Sequence, residues 1–348
     1  MPVTVKSFAK INHGLLIGPP GTRSDGFHDL RTIYQTIALH DVVKVSAKPA
    51  ADGIVIRCKD ARVPTDSTNT CWKIVERALQ ALNVRARVTI EIEKRLPVQG
   101  GMGAASSNAV AALLGLEKAI KKRLDPKDRL RIASEVGSDV PLFLIGGTVL
   151  GIGRGEQVFP LPDLPDFNLV VATPAVGVST SKAFAAWDEL FSAAESRARL
   201  RPDQPTLAKP PEPVKELTVS GQSDRLNMFS HDVYAWLGRV QFPAVVSGVS
   251  AKRGNRAEAL LLDLVRTGIE NDFERVVFPQ FPELRDVKLA IERQGASYAS
   301  ISGSGSTVYG IFPNKAAAEK AARRLNAECI SAQATITLNR AGYWKKMY

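Results

Sequence analysis

Residues 97–107 have the sequence PVQGGMGAASS, a run of small side chains that includes three glycines. The run follows an alternating segment, Val88 to Glu93, that predicts a strand, and it leads into residues 108–114 (NAVAALL), which predict the start of a helix. The first amides of a helix have no intrahelical partner, and the helix dipole favours negative charge there. Glycine and alanine let a phosphate approach the backbone closely. The stretch therefore predicts an anion-binding loop.

This loop differs from the two best-known nucleotide motifs. It lacks the Gly-Lys-Ser/Thr ending of a Walker A loop, and it is not a Rossmann fingerprint. The hydroxyl groups of Ser106 and Ser107 could bind a phosphate oxygen or a metal ion. The alternative is a plain connection whose glycines serve turn geometry, with Ser106 capping the helix. The residues predicted to surround the anion are Gly100, Gly101, Gly103, Ala104, Ala105, Ser106 and Ser107.

Length and composition are those of an ordinary globular chain. A chain of 348 residues suggests two domains at about 150 residues each, and the 45% hydrophobic and 23% charged fractions are typical. No apolar run approaches the roughly 20 residues that span a membrane, and no secretory signal is evident. Cys58, Cys71 and Cys329 are widely spaced and lack zinc-ligand spacing, which favours reduced thiols in the cytoplasm.

The chain is basic, with 46 Lys and Arg residues against 35 Asp and Glu residues. Such an excess favours either a solvated basic surface or the attraction of polyphosphate ligands. No nucleic-acid-binding motif accompanies it, so we expect no nucleic-acid partner. We also expect no membrane contact, and a monomer or weak homodimer.

Hydrophobic periodicity predicts mixed strands and helices in the first half of the chain. The predicted strands are Val42–Ala47, Gly53–Cys58 and a run from Phe143 to Ile152 through a glycine turn. The predicted helices are Asn69–Leu82, Ser107–Lys122 and Pro126–Val136.

Residues 160–166 are rich in proline and predict a connection between two domains. The predicted domains are residues 1–162 and 163–348. Residues 202–213 contain five prolines and predict an exposed, partly disordered insertion near 198–221. The last part predicts an antiparallel sheet covered by helices. Its predicted elements are Glu283–Gln294 (helix), Tyr298–Ile301 (strand), Thr307–Phe312 (strand), Lys315–Glu328 (helix) and Ala334–Leu338 (strand).

Short segments elsewhere resemble the signatures of the GHMP kinase superfamily. These are residues 7–12 (SFAKIN), 137–141 (GSDVP) and 301–306 (ISGSGS). Residues 23–30 (RSDGFHDL) narrow the match, because they resemble the RxDGYHxL segment of the 4-diphosphocytidyl-2-C-methyl-D-erythritol kinase family. Residues 94–97 (KRLP), 146–148 (GGT) and 271–274 (NDFE) also resemble that family. The segments occur in the family's order and cover roughly residues 4–184 and 270–312.

The resemblance implies a fold and an activity. The fold is a two-domain α+β GHMP kinase fold, with an N-terminal ribosomal-S5-domain-2-like domain, a smaller ferredoxin-like α+β C-terminal domain and the ligands in the cleft between them. The activity is ATP-dependent phosphorylation of the 2-hydroxyl of 4-diphosphocytidyl-2-C-methyl-D-erythritol, in the non-mevalonate isoprenoid pathway. Mg²⁺ accompanies ATP, with Ser107 as a candidate protein ligand.

Two residues of the signatures suit the chemistry of a small-molecule kinase. Such an enzyme positions its substrates and stabilises charge, with a carboxylate for the acceptor hydroxyl and a cation nearby. Asp139 and Lys10 are predicted to supply these groups as the catalytic pair. From the residues alone, Asp139 could instead cap a turn before Pro141, and Lys10 could be a surface lysine at a strand end.

The resemblance also implies ligand contacts. His28 bonds the cytosine and Phe27 stacks on it, although Phe27 replaces the family's tyrosine and loses a hydroxyl contact. Phe184 is the candidate for the opposing aromatic. Asn12 contacts the sugar alcohol or its phosphates, the loop residues Gly303, Ser304 and Gly305 approach the diphosphate, and Asn69 and Lys94 lie near adenine. The alternatives are a structural histidine, a core aromatic and, for residues 302–306, a flexible linker.

Two other functions compete with this one. The nearest is another GHMP kinase that acts on homoserine, mevalonate or a sugar, against which the segment Asp25-Gly26-Phe27-His28 argues. The second is a nucleotide- or RNA-binding protein without catalysis, which the basic charge permits and which Lys10 and Asp139 argue against. Salt-dependent retention on RNA would favour that second function.

Overall fold

The computed structural model describes residues 1–49, 52–199, 225–226, 228–229 and 270–348. Its first half is built on a hairpin of two long strands, β1 (Val3–Ile17) and β2 (Leu30–Pro49), paired antiparallel. From residue 7 onward every residue of β1 is buried. Since this strand is covered on both faces, it shows no alternation of apolar and polar residues, and the sequence did not predict it.

Two irregularities interrupt the β1–β2 register, between Phe8 and Lys10 and between Asn12 and Gly14. Between them, Lys10 lies opposite Thr36 and Asn12 opposite Tyr34. Bulges bend a strand and re-aim its side chains. The two irregularities therefore bracket the short piece of β1 that carries the predicted catalytic lysine.

The hairpin belongs to a six-stranded sheet within the described residues. Strand β4 (Ala86–Glu93) pairs with the end of β2, and β5 (Thr148–Gly153) pairs with its beginning. Strand β3 (Gly53–Cys58) lies parallel to β4, and β6 (Gln157–Pro160) lies beside β5. The order is β3-β4-β2-β5-β6, with β1 paired to β2.

Three helices cover this sheet as a layer in which α3 packs on α1 rather than on the strands, and each confirms a predicted helix. They are α1 (Thr70–Ala81), α2 (Ala104–Ile120) and α3 (Pro126–Val136). Helix α2 is the central one, since residues 107–117 are all buried and it contacts β1, β2 and α1. It begins three residues before the predicted Ser107, and that difference matters for the site.

The prediction of a strand from Phe143 is wrong at its start. Residues Pro141–Leu144 form a short 3-10 helix, and the chain turns through Gly146 and Gly147, both with φ near +70° (70° and 72°), before β5 begins. Proline favours the first position of a helix, and a short apolar run does not distinguish a buried helix from a buried strand.

The second half contains a four-stranded antiparallel sheet, which confirms the predicted α+β arrangement. Its order is β10-β7-β9-β8, formed by β7 (Asn168–Ala172), β8 (Tyr298–Ile301), β9 (Val308–Phe312) and β10 (Ala332–Ile336). Helices α6 (Pro282–Arg293) and α7 (Lys315–Ala327) pack on this sheet. Helices α4 (Thr180–Arg199) and α5 (Glu274–Gln280) pack against each other.

The chain ends on the first sheet rather than the second. A helix that the sequence did not predict, α8 (Arg340–Lys346), places the buried Tyr343 beside Phe8, with ring centroids 5.6 Å apart. The Tyr343 hydroxyl donates to the carbonyl of Phe143 at 2.8 Å. The final residues therefore complete the core of the N-terminal half.

Two sequence predictions concern other parts of the chain. The predicted insertion near 198–221 lies outside the described residues, apart from the backbone at the end of α4. The helices that the structure does describe include none with the length and apolar character needed to cross a membrane.

Candidate active site

Two cavities meet at the glycine-rich loop. The smaller, of about 320 Å³, is lined by Asn69, Lys94 and all of residues 97–106. The larger, of about 680 Å³, is lined by residues from both halves of the chain. The two cavities share Gly101, Gly103 and Ser106. Of the predicted site residues, the larger cavity also contains Lys10, Asn12, Phe27, His28, Asp139, Phe184, Gly303 and Ser304.

The loop leaves the start of α2 without a side-chain cap. The N-cap residue is Gly103, in the left-handed region with φ 65°, and it offers no side-chain acceptor to the first helical amides. The alternative that Ser106 caps this helix is therefore wrong. Uncapped amides at the N-terminus of a 17-residue helix, facing two cavities, have the geometry of an anion-binding site.

A second glycine loop, residues 302–306, packs against the first. The amide of Thr307 donates to the carbonyl of Gly100 at 3.1 Å, and the Ser302 hydroxyl donates to the carbonyl of Gly101 at 3.0 Å. The buried Asn271 donates to the carbonyls of Ile301 (2.9 Å) and Gly303 (2.8 Å). Residues 301–307 are all buried. The interpretation of this segment as a flexible linker is wrong.

Lys10 and Asp139 form an ion pair in the larger cavity, with Lys10 Nζ 3.2 Å from Asp139 Oδ2. The lysine side chain is only 4% exposed, whereas the aspartate is 31% exposed. Tyr34, opposite Asn12 on β2, donates its hydroxyl to Asp139 Oδ1 at 3.0 Å. Burial, and secondarily the Asp139 carboxylate, raise the pKa of Tyr34 well above 10, so its hydroxyl stays a neutral donor. The carboxylate is thus oriented by two partners and still faces the cavity.

Asn12 uses both ends of its amide within the protein. Its Oδ1 accepts from Lys10 Nζ at 2.7 Å, and its Nδ2 donates to Thr32 Oγ1 at 2.7 Å. The Thr32 hydroxyl in turn donates to the carbonyl of Gly14 at 2.6 Å. This chain of hydrogen bonds fixes the ammonium of Lys10 against Asp139. The predicted contact of Asn12 with substrate stays a prediction.

An aromatic cluster lies in the same cavity as the ion pair. Phe184 of α4 stacks on His28, with centroids 4.9 Å apart and planes 12° apart, and it contacts Phe273 edge-on at 5.0 Å. Phe27 is 52% exposed, and the guanidinium carbon of Arg154 lies 4.8 Å from its ring centroid. Phe184 therefore faces the imidazole of His28 in this structure. Its predicted role as the aromatic opposite Phe27 stays a prediction.

Asn69 and Lys94 line the smaller cavity, but protein groups hold their polar ends. Asn69 Oδ1 caps α1 by accepting from the amide of Cys71, and its Nδ2 donates to Pro64. Lys94 Nζ contacts the fully buried Asp41 at 2.8 Å. The Asp41 carboxylate also accepts from the amides of Arg95 and Leu96 and from the side chain of Asn108. Asp41 therefore ties the start of the loop to helix α2.

Ser107 lies in neither cavity. Its hydroxyl accepts from Ser7 at 2.7 Å, and the residue is 2% exposed. Ser106 lines both cavities instead. Because α2 begins at Ala104, Ser107 turns toward the core and Ser106 toward the ligand side. Of the two predicted serines, only Ser106 is thus available to a phosphate, and the prediction of Ser107 as a metal ligand is wrong.

Several site residues were not predicted from the sequence. Tyr34 contacts Asp139, Arg154 lies over Phe27, Asp188 accepts from His28 Nε2 at 2.6 Å, and Thr180 Oγ1 lies 2.8 Å from Ser304 Oγ. No local pattern marks these residues, because each contact joins distant parts of the chain. Gly305, which was predicted, packs toward Ile301 and does not line the larger cavity.

A buried histidine beneath the site is expected to make stability depend on pH. Burial lowers the pKa of His13 from 6.5 to about 4. Between these pH values the unfolded chain binds a proton that the folded chain does not, so His13 stabilises fully above pH 6.5 and destabilises as pH falls toward 4. We expect the free energy of unfolding to drop roughly 3 kcal/mol more over this window in the protein than in His13→Gln.

Urea unfolding at several pH values measures this difference. Carboxylates titrate in both proteins, so the difference between the two curves isolates His13. Parallel curves between pH 6.5 and 4 would contradict the assignment.

Comparisons with known proteins show the family of the chain. The chain matches the family described as GHMP kinases N terminal domain over residues 69–147, and GHMP kinases C terminal over residues 255–331. The 4-diphosphocytidyl-2-C-methyl-D-erythritol kinase of Solibacter usitatus (strain Ellin6076) is 34% identical over 316 residues, which is 89% of this chain and 81% of that protein. The enzyme of the same name from Caldicellulosiruptor bescii is 30% identical over 321 residues, covering 92% of this chain and 93% of the relative.

A solved structure extends the match to the whole fold. The crystal structure of 4-(cytidine 5'-diphospho)-2C-methyl-D-erythritol kinase has a TM-score of 0.66 and 25% identity to this chain, and the match covers 96% of this chain and 99% of that one. The two-domain α+β arrangement is thus the GHMP kinase fold. Identity of 30% or more over most of both chains places this chain in the 4-diphosphocytidyl-2-C-methyl-D-erythritol kinase family.

Proposed function

We propose that this chain transfers the γ-phosphoryl group of ATP to the 2-hydroxyl of 4-diphosphocytidyl-2-C-methyl-D-erythritol, as a step of the non-mevalonate isoprenoid pathway. One observation carries the assignment of the site. The Lys10–Asp139 pair lies in a cavity that reaches the glycine loop at one end and the His28–Phe184 stack at the other. A phosphate donor and a nucleotide-bearing acceptor could therefore meet at the ion pair.

ATP would bind in the smaller cavity because of the chemistry of the loop that lines it. Its phosphates would lie against the uncapped amides at the start of α2, where Gly101 and Gly103 line the cavity. The adenine would lie toward Asn69 and Lys94, which line the same cavity. The cavity opens toward Asp139 through the wall that Gly101, Gly103 and Ser106 share.

Mg²⁺ would arrive with ATP rather than in a site of its own. Across the described ranges there is no cluster of three or more His, Cys, Asp or Glu residues that could hold a metal ion. Mg²⁺ usually keeps several waters and is bound by substrate phosphates with one or two protein oxygens. The Ser106 hydroxyl and the Asp139 carboxylate are two protein oxygens that line the larger cavity. When bound, the ion would neutralise charge on the phosphates.

The acceptor would occupy the larger cavity along its length. Its cytosine would lie at His28, Phe27 and Phe184, and its diphosphate at the amides of Gly303 and Ser304. The erythritol part would then reach Lys10 and Asp139. The 2-hydroxyl would donate its proton to the Asp139 carboxylate as its oxygen bonds to the γ-phosphorus, and ADP would leave. Lys10 would stabilise the charge on the carboxylate and the transferring group.

The size of this cavity argues against a smaller acceptor. Homoserine, mevalonate or a single sugar would fill the space near Asp139 and leave the aromatic end of an approximately 680 Å³ cavity unused. A protein that binds nucleotides without catalysis would have no need of a carboxylate held by both a buried lysine and a tyrosine hydroxyl. We also propose a cytoplasmic location and a monomer or weak homodimer, as expected from the sequence.

A coupled assay of ADP release with four acceptors tests the proposal. We expect sustained turnover with 4-diphosphocytidyl-2-C-methyl-D-erythritol and only background rates with homoserine, mevalonate and galactose. His28→Ala should raise KM for the cytidyl acceptor about tenfold or more and leave KM for ATP nearly unchanged, since one or two buried hydrogen bonds are lost. Faster turnover with any other acceptor would contradict the assignment.

A further inference from the structure

Helix α4 holds the imidazole of His28 on two sides. Asp188 Oδ1 lies 2.6 Å from His28 Nε2, and the Phe184 ring lies parallel to the imidazole at 4.9 Å. Asp188 and Phe184 are four residues apart on α4, so their side chains lie on one face of the helix. The side chain of His28 is 11% exposed. One helix therefore fixes both the plane of the ring and its rotation.

The carboxylate also determines which ring nitrogen of His28 carries the proton. An ionised carboxylate can only accept hydrogen bonds, so Nε2 must donate to it. In a neutral imidazole, the other nitrogen, Nδ1, is then an acceptor. No group among the residues that the structure describes donates a hydrogen bond to Nδ1. When neutral, the ring, which lines the larger cavity, would thus present Nδ1 as an acceptor.

We propose that Asp188 is a positioning residue that makes this site select cytosine over uracil. Cytosine carries an amino group, a donor, at its 4-position, where uracil carries a carbonyl oxygen, an acceptor. If Nδ1 is held as an acceptor, it would accept a hydrogen bond from the amino group of cytosine. The carbonyl oxygen of uracil would instead bring a second lone pair against that of Nδ1, which is repulsive. The proposal rests on the proposed function, because it assumes that the pyrimidine lies at His28.

The competing explanation is that Asp188 only ties α4 to the segment before β2. A tether would affect stability or overall activity, but it would change the rates with cytidine and uridine acceptors alike. A tautomer selector would change the ratio of the two rates. The ratio of kcat/KM for the cytidyl and uridyl forms of the same acceptor therefore separates the two roles.

The test measures that ratio in the wild-type enzyme, in Asp188→Ala and in Glu189→Ala. Glu189 is an exposed carboxylate at the next position of α4, so its removal controls for charge on the helix. We expect Asp188→Ala to lower the cytidyl-to-uridyl ratio by about tenfold or more, with KM for ATP unchanged. Glu189→Ala should keep the wild-type ratio.

Nitrogen-15 NMR of the wild-type histidine side chains gives a second readout that does not depend on a variant. We expect the His28 signal, assigned by its loss in His28→Ala, to show a proton on Nε2 and none on Nδ1. A proton on Nδ1, or an unchanged ratio in Asp188→Ala, would overturn the role of Asp188. A wild-type enzyme that turns over neither pyrimidine acceptor would instead contradict the proposed function.

Discussion

Asp139→Asn is expected to lower turnover by about 10²-fold or more while folding and ATP binding persist. The substitution keeps the size of the side chain but removes both the proton acceptor and its negative charge. The substitution removes the carboxylate partner of the buried Lys10 ammonium, but Lys10 keeps its hydrogen bond to Asn12, and the side chain at position 139 is partly exposed in the cavity, so we expect the fold to persist. Steady-state kinetics with the cytidyl acceptor, together with calorimetry for ATP, measure the two effects.

Lys10→Ala should lower turnover by a similar factor. The losses of turnover in Lys10→Ala and Asp139→Asn should not add in the double variant. Residues that act as one unit lose most of their contribution when either is removed. The double variant should therefore be nearly as active as the worse single variant. Asp128→Asn, which removes an exposed carboxylate of α3 that pairs with Arg131, serves as the matched control and should keep wild-type rates. Near-wild-type turnover in either single variant would contradict the catalytic assignment.

Gly101→Ala is expected to disrupt the junction of the two glycine loops. Gly101 has φ +75°, and a Cβ there would overlap the carbonyl oxygen of Ser302 and lie 2.9 Å from that of Gly305. These are backbone atoms, which cannot move aside as a flexible side chain can. We expect KM for ATP to rise at least about tenfold and turnover to fall by a similar factor, because a displacement of about 1 Å costs on the order of 10² in rate.

Gly21→Ala is the matched control for this substitution. Gly21 has nearly the same backbone conformation, with φ +72°, but a Cβ added there would have no heavy atom within 4 Å apart from its chain neighbours. This variant should lose about 1 kcal/mol of stability from the left-handed conformation and keep its kinetics. If Gly101→Ala behaved like Gly21→Ala, the close contact of the loops would have no role in ATP binding.

The glycine loop and its helix could be predicted because their signals are local. The strand before the loop alternates in burial over Ala86–Glu93, and the helix after it follows directly in the sequence. The start of the helix was placed three residues late, because Gly103 caps it without a side-chain signal. Successive helical residues point about 100° apart, so Ser106 and Ser107 cannot both face the ligand side, and only Ser106 does.

The remaining parts of the site depend on contacts that the sequence does not reveal. Tyr34 and Asp139 are 105 residues apart, and His28 and Asp188 are 160 residues apart. Strand β1 was missed because it is buried on both faces from residue 7 onward, so its pattern does not alternate. Family resemblance identified Lys10 and Asp139, but only the fold brings their side chains to 3.2 Å.

The identity of the product tests the central claim most directly. The wild-type enzyme would be incubated with ATP, Mg²⁺ and 4-diphosphocytidyl-2-C-methyl-D-erythritol labelled with carbon-13 at C2, and the product examined by phosphorus-31 and carbon-13 NMR. We predict an intact diphosphate and one new phosphomonoester coupled to C2, formed in equal amount to ADP and absent with Asp139→Asn. ATP hydrolysis without a new ester, a cleaved diphosphate, or an ester on another hydroxyl would contradict the account.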